Sequence, residues 1–241
     1  MNNLDLSIVV QGIITEESLD FYLTNYKKFN LIFSIWDDST IDLSKINSNI
    51  KLIISKKNEL NNLESKLKIN NIHYLYQVIS TLKGLNECQS KYVVKIRGDE
   101  YISNIEYLYS ILDTNQKTIY TTPIFFRPWS NFKFHISDHI IAGTRENLLS
   151  MFNTALNKIE HLESNEYLFL PEQELGIAYL KSREDEVGDS NGLELVKKHF
   201  NILNLEQFKP YLMVANCFNK KFYGDFVPEE WGAISKIQDL G

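Results

Sequence analysis

Short apolar runs alternate along the chain with segments whose apolar residues recur at helical spacing, a pattern that predicts an α/β fold. Residues 6–10 read as a buried strand meeting a turn at Gln11-Gly12. Residues 16–28 follow as a helix, with Leu19, Tyr22, Leu23 and Tyr26 on one face. Residues 31–36 and 50–55 are two more apolar runs, the first stopped by Asp37-Asp38-Ser39. Strands this apolar are expected where helices cover both faces of a mostly parallel sheet. Residues 56–70, rich in Lys, Asn, Glu and Leu, fit either a surface helix or a loop.

A firmer helix spans residues 71–86, where Ile72, Leu75, Val78, Ile79 and Leu82 share a face. KYVVKIR, residues 91–97, is the clearest strand of the chain. Gly98-Asp99-Glu100 breaks it, and Ser103-Asn104-Ile105-Glu106 carries the capping-box pattern of another helix. Residues 118–126 and 134–142 read as strands, and Gly143-Thr144 leads into a helix over residues 145–158. Pro171 suits the first turn of a helix through residue 180. A polar loop at 183–191, a helix near 193–200 and short strands at 211–218 and 222–227 complete the pattern. No repeat and no Pro- or Gly/Ser-rich linker divides it. The expectation is one domain over residues 1–241, a Rossmann-like, mostly parallel central sheet flanked by helices.

Charge and cysteine usage narrow the function classes. The net charge of -6 argues against nucleic acid as a partner, while leaving room for a local basic pocket that takes a diphosphate. Cys88 and Cys217 are far apart and form no CxxC pair, so each reads as a buried free thiol. The first residues lack the pattern of a signal peptide, and no run approaches the roughly 18–20 apolar residues of a membrane span. A cytoplasmic protein is expected, able to lie at the periphery of a membrane.

Three polar clusters carry candidate chemistry. Arg97-Gly98-Asp99-Glu100 ends the KYVVKIR strand, where open α/β sheets collect ligands. A carboxylate there can hold a divalent cation, and a guanidinium can grip a phosphate. His135-Ile136-Ser137-Asp138-His139 would, on a strand, turn His135, Ser137 and His139 to one face and Asp138 to the other. It lacks the glutamate of a zinc-protease helix, and its adjacent residues cannot converge as a serine-protease triad. In Pro171-Glu172-Gln173-Glu174 the two glutamates lie about 200° apart on a helix, so only one can face a cleft, where it can serve as a general base. Each cluster also has a plain structural reading as capping or turn chemistry. Among Phe125, Phe126, Trp129, Phe132 and Phe134, Trp129 beside Pro128 is the best candidate to stack on a sugar or base.

Taken in order, IVVQG, QVISTLKGL, KYVVKIRGD, HISDHIIAGTRENLL and PEQEL resemble the WavE lipopolysaccharide-synthesis family, from about residue 8 to 175. The resemblance implies a GT-A-like glycosyltransferase that moves a sugar from a nucleotide-sugar donor to a glycan or glycolipid acceptor. It carries over Gln11, Gly12, Gln77, Ser80 and Arg97 as substrate-binding residues. Asp99 would hold Mn²⁺ or Mg²⁺, with His139 completing the shell. Glu172, and after it Asp138, would activate the acceptor hydroxyl. Two positions depart from the family pattern: Tyr76 stands where the family carries Arg, and Arg97 fills the first position of the Asp-x-Asp, leaving only Asp99. The enzymatic reading as a whole needs an Asp99 carboxyl that a pyrophosphate can reach through a bridging ion; one buried in a salt link, or turned to bulk water, would leave only an α/β scaffold. A sugar nucleotidyltransferase is the alternative enzyme, disfavoured by the single glycine and missing lysine after the first strand. A non-catalytic nucleotide- or glycan-binding module of the same fold is the other alternative.

Overall fold

The computed structural model describes residues 5–47, 50–68, 71–124, 126–163, 168–184, 186–215, 220–222 and 236–240. In chain order the elements are β1 (Leu6–Gln11), α1 (Glu16–Asn25), β2 (Asn30–Trp36), β3 (Lys51–Ser55), the one-turn α2 (Asn61–Glu64) and α3 (Ile72–Glu87). Then come β4 (Tyr92–Arg97), β5 (Tyr101–Ile102), α4 (Ile105–Thr114), β6 (Ile119–Thr121), β7 (Ile140–Thr144) and α5 (Arg145–Glu160). The chain continues through α6 (Pro171–Lys181), α7 (Gly192–His199), β8 (Phe200–Ile202), β9 (Tyr211–Ala215) and β10 (Lys220–Phe222).

Seven strands form a mixed, mostly parallel sheet in the order β3-β2-β1-β4-β7-β6-β8, in which β7 runs against both of its neighbours. A second sheet of three strands, β10-β9-β5, stands beside it. Alternation along the central strands divides the core between the two faces of the sheet. Ile8 and Val10 of β1 and Val94 and Ile96 of β4 pack with α1 and α4. Val9 and Val93 pack on the opposite face with α3, α5 and α6. Both faces are therefore dry, which is why the strands read as unbroken apolar runs.

The chain lays β2 and then β3 on one side of β1 before crossing to place β4 on the other. The carboxyl ends of β1 and β4 thus border a topological switch point, the place where open α/β sheets form ligand crevices.

Several expectations are corrected. Residues 56–68, open between helix and loop in the sequence, hold a 3₁₀ turn, Lys57–Leu60, and the single turn of α2. Ser103 does not cap α4: Asn104 occupies the cap at φ 55° without a side-chain bond, and the Ser103 hydroxyl turns to the Phe208 and Lys209 carbonyls. β6 stops before Pro123, which has no N–H to continue the ladder. The strand expected at 134–142 is reduced to β7, which begins at Ile140. Ile140 pairs with Ile96, and β4 ends one residue later, so residues 134–139 have no strand to pair with. β5 and β8 were not anticipated. Cys88 is free and buried, whereas Cys217, Phe125 and residues 223–227 lie outside the described residues.

Candidate functional site

Strand register builds the centre of the site. Gln11 and Arg97 are Cα partners at the ends of the parallel pair β1 and β4. One position beyond the Ile96–Ile140 partnership of β4 and β7 stand Arg97 and His139, and the Arg97 Nη1 lies 3.4 Å from the His139 Nδ1. A cavity of about 340 Å³ opens at these strand ends, bordered by Gln11, Gly12, Arg97, Asp138, Tyr76 and Trp36 among others. Gly12 makes the turn after β1 at φ +86°, a conformation that disfavours side chains, and its N–H donates to the Ser34 carbonyl at 3.1 Å. That amide is engaged within the fold, but a Cβ at Gly12 would meet nothing within 4 Å, so a ligand can approach the backbone there.

Helix α3 supplies the polar wall. The Ser80 hydroxyl lies 3.0 Å from the Gln11 Oε1 and 2.7 Å from the Tyr76 carbonyl oxygen. Gln77 donates from Nε2 to the Asp138 Oδ2 at 2.8 Å, holding the carboxylate at the cavity edge. Gln11, Gly12, Gln77, Arg97 and Asp138 thus share one cavity, with Ser80 bracing Gln11 behind it. At the other end of the cavity Tyr76 packs on Trp36, with ring centroids 4.9 Å apart, and the Lys57 ammonium sits 4.9 Å from the Tyr76 centroid. Lys57 also pairs with Asp38 at 2.5 Å, so a cation reaches this wall from a different element than the one read in the sequence.

Two buried charged residues complete the centre: Lys95, which the sequence reading missed, and Glu100, which it placed in the strand-end cluster without a role of its own. Lys95 is fully buried in β4 on the face of Val93, and donates to the Asp138 carbonyl and, at 3.3 Å, to that of His139. Burial lowers its pKa to about 8, against the opposing pull of Asp138. Glu100 is equally buried; it accepts the Val214 N–H of β9 at 2.9 Å and faces the His139 Nδ1 at 2.5 Å. Burial alone would raise the pKa of Glu100, but His139 and Arg97 outweigh it and hold the carboxyl below its ordinary value. The same balance applies at Asp138, where His139, Lys95 and Arg97 overcome desolvation and lower the pKa. A lysine inside an apolar strand was the available signal for Lys95.

Glu172 sits in the first turn of α6, next to Pro171 of the cavity wall, with its Oε2 4.0 Å from the His135 Nε2. Burial, and then the negative charge of Asp138, raise its pKa to about 7. Glu174 points elsewhere: it is buried, pairs with Lys158 at 2.7 Å and accepts the Phe169 N–H at 2.7 Å. The two glutamates separate as the helix geometry requires.

Three sequence candidates take positions other than those expected. Asp99 receives both an Nε–H and an Nη2–H of Arg97, at 3.1 and 2.8 Å, with 18% of its side chain exposed. His139 directs Nδ1 at Glu100, and its Nε2 stands 3.8 Å from the Asp138 Oδ1. Among the described residues no group of three or more His, Cys, Asp or Glu side chains is placed to hold an ion. The residues therefore do not fit a divalent cation held by Asp99 and His139, because the carboxylate that would ligate it already neutralises a guanidinium, and the enzymatic reading loses the support that the sequence placed on Asp99. Trp129 lines a second cavity on the far side of α6, packed edge-on against Phe134 at 4.8 Å. Ser137 is buried and shares a 3.0 Å hydrogen bond with Thr122, a role within the fold.

Among the described residues no helix is long and apolar enough to cross a membrane. No curated protein matches the chain. The family model described as WavE lipopolysaccharide synthesis matches residues 7–184, a span that runs from β1 past α6 and takes in the cavity, its polar wall and Glu172. By that match over most of its length, the chain belongs to the WavE lipopolysaccharide synthesis family.

Proposed function

We propose that this chain is a GT-A-like glycosyltransferase, acting in lipopolysaccharide synthesis, that moves a sugar from a nucleotide-sugar donor to a glycan or glycolipid acceptor. The observation that carries the reading is the convergence of Gln11, Arg97 and Asp138 on one cavity at the β1–β4 switch point, with the aromatic pair Trp36 and Tyr76 at its other end. An aromatic wall suits the flat face of a nucleobase, and a guanidinium suits a diphosphate. The family's name points to the same class of chemistry.

In this reading Arg97 faces the diphosphate, and the bidentate bond to Asp99 fixes the plane of its guanidinium. Burial opposes the charge of Arg97, but Glu100, Asp99 and Asp138 around it raise its pKa above the ordinary value, so it stays cationic. Lys95 adds a second positive charge beneath the Asp138–His139 peptide. Glu172 accepts the proton of the acceptor hydroxyl. The acceptor oxygen bonds to the anomeric carbon, and the bond from that carbon to the diphosphate breaks, releasing a nucleoside diphosphate. A base with a pKa near the working pH is well matched to this step, which contributes typically 10²–10⁴-fold.

Incubation with UDP-, GDP-, dTDP- and CMP-sugars, with release of the free nucleotide followed by chromatography, tests the activity. Slow release from one donor, lost in Glu172→Gln, is the expected result. Tight donor binding without any release, with acceptor present, would instead identify a binding module.

A further inference from the structure

The second cavity holds about 510 Å³, within the range of small-molecule sites, and α6 is the wall it shares with the strand-end site. Pro171 lines the strand-end cavity, whereas Gln173, Ile177 and Lys181, at i, i+4 and i+8 on the same helix, line the second one. Close packing fixes this partition. A Cβ at Gly176 would lie 2.1 Å from the Phe134 carbonyl oxygen, so only glycine lets α6 approach the 129–134 loop this closely. Gln173 ties the same loop down by donating to the Lys133 carbonyl at 2.9 Å. Phe132 of the lining lies 5.4 Å from the His135 ring, and the His135 Nε2 is 4.0 Å from the Glu172 Oε2.

The lining mixes flat apolar faces with polar and cationic groups. Phe132 and Phe169 are 42% and 57% exposed, unusual for side chains of this size, and both border the cavity. Lys133, Lys158 and Lys181 line it against one acid, Asp189. Lys133 pairs with Asp189 and Lys158 with the buried Glu174, which leaves Lys181 in no ion pair among the described residues. Open aromatic faces suit the C–H faces of a pyranose, the amides and hydroxyls around them suit its hydroxyl groups, and the surplus cation suits an anionic substituent. A bare alkyl chain would leave the Lys181 ammonium uncompensated.

We propose that this cavity binds a carbohydrate bearing a phosphate or carboxylate group, on the side of α6 away from the strand-end site. The inference rests on the cavity and its lining and not on the transferase reading above. The test is calorimetric titration of deacylated lipopolysaccharide core oligosaccharide, intact and phosphatase-treated, into the wild-type chain and the variants Phe132→Ala, Phe169→Ala and Lys181→Glu. Both phenylalanines are exposed, so these variants fold.

The intact oligosaccharide is expected to bind the wild type, with affinity reduced about tenfold in each phenylalanine variant. Lys181→Glu and phosphatase treatment are each expected to weaken binding, and together to weaken it no further. Absence of binding, or equal binding by all the variants, overturns the site; equal binding of the treated sugar assigns the charge to a carboxylate instead of a phosphate, and equal binding by Lys181→Glu overturns the anionic character. Donor binding without oligosaccharide binding removes this inference alone. Oligosaccharide binding that the phenylalanine variants weaken, in a chain that ignores every donor, supports the carbohydrate site while removing the transferase reading.

Discussion

Arg97 and Asp99 are joined by two parallel hydrogen bonds, of 3.1 and 2.8 Å, at the end of the central strand β4. A fork of this kind fixes both partners in one plane. It turns Asp99 from a cation ligand into the group that orients Arg97. Asp99→Asn keeps one acceptor and loses the charge, so donor affinity is expected to fall about tenfold, the equivalent of roughly 1.4 kcal/mol. The loss should be the same with and without Mn²⁺. Recovery of affinity by excess Mn²⁺, measured by calorimetry, would show that Asp99 ligates the ion instead.

Glu172 carries the pH dependence. Its pKa is raised to about 7 in the folded chain, so between its ordinary range and about pH 7 the folded state binds more protons than the unfolded state. Stability therefore falls as pH rises through that window. The melting temperature of the wild type should drop between about pH 5 and about pH 8, and Glu172→Gln should flatten that drop. A base must also be ionised to act. Transfer should rise about tenfold per pH unit up to about pH 7 and level off above it. An identical pH–stability profile in Glu172→Gln would contradict the assignment.

Glu174 provides the contrasting substitution on the same helix. It binds Lys158 and the Phe169 N–H from a buried position, contacts that belong to the fold. Glu174→Gln should cost about 1–3 kcal/mol of stability through its weakened charge-assisted bonds, and leave the pH profile of transfer unchanged. Urea unfolding and a pH series measure the two halves of that expectation.

Lys95 holds the Asp138–His139 peptide from beneath. Lys95→Met fills the same space but leaves two buried carbonyls without their donor, at a cost of about 1–3 kcal/mol. Because those carbonyls position Asp138, donor affinity should fall as well. A variant of unchanged melting temperature and unchanged donor affinity would remove Lys95 from the site.

The parts of this site legible in the sequence are those marked by local punctuation. Gly12 and Gly98 end the strands β1 and β4, and so place Gln11 and Arg97 at the sheet's carboxyl edge. The helical angle between Glu172 and Glu174 likewise forecasts that they part company. Contacts set by tertiary register were not legible. Gln77 meets Asp138 from 61 positions away, and Glu100 meets the Val214 N–H from 114. That residues 134–139 form no strand follows from where β4 stops, a fact of pairing and not of propensity. Trp129, which its loop and Pro neighbour mark as a candidate to stack on a sugar or base, lines the second cavity and not the strand-end one, because α6 stands between them. The burial of Lys95 could have been inferred from the alternation Val93, Lys95 on a strand with both faces covered.

The claim on which the account turns is that a nucleotide-sugar occupies the cavity at the ends of β1 and β4. Thermal shift across UDP-, GDP-, dTDP- and CMP-sugars, on the wild type and on Arg97→Ala, tests it most directly. One donor at about 100 times its Kd should stabilise the wild type by about 2.7 kcal/mol and stabilise Arg97→Ala far less. A wild type that no nucleotide-sugar stabilises, or an Arg97→Ala variant stabilised just as much, would contradict it.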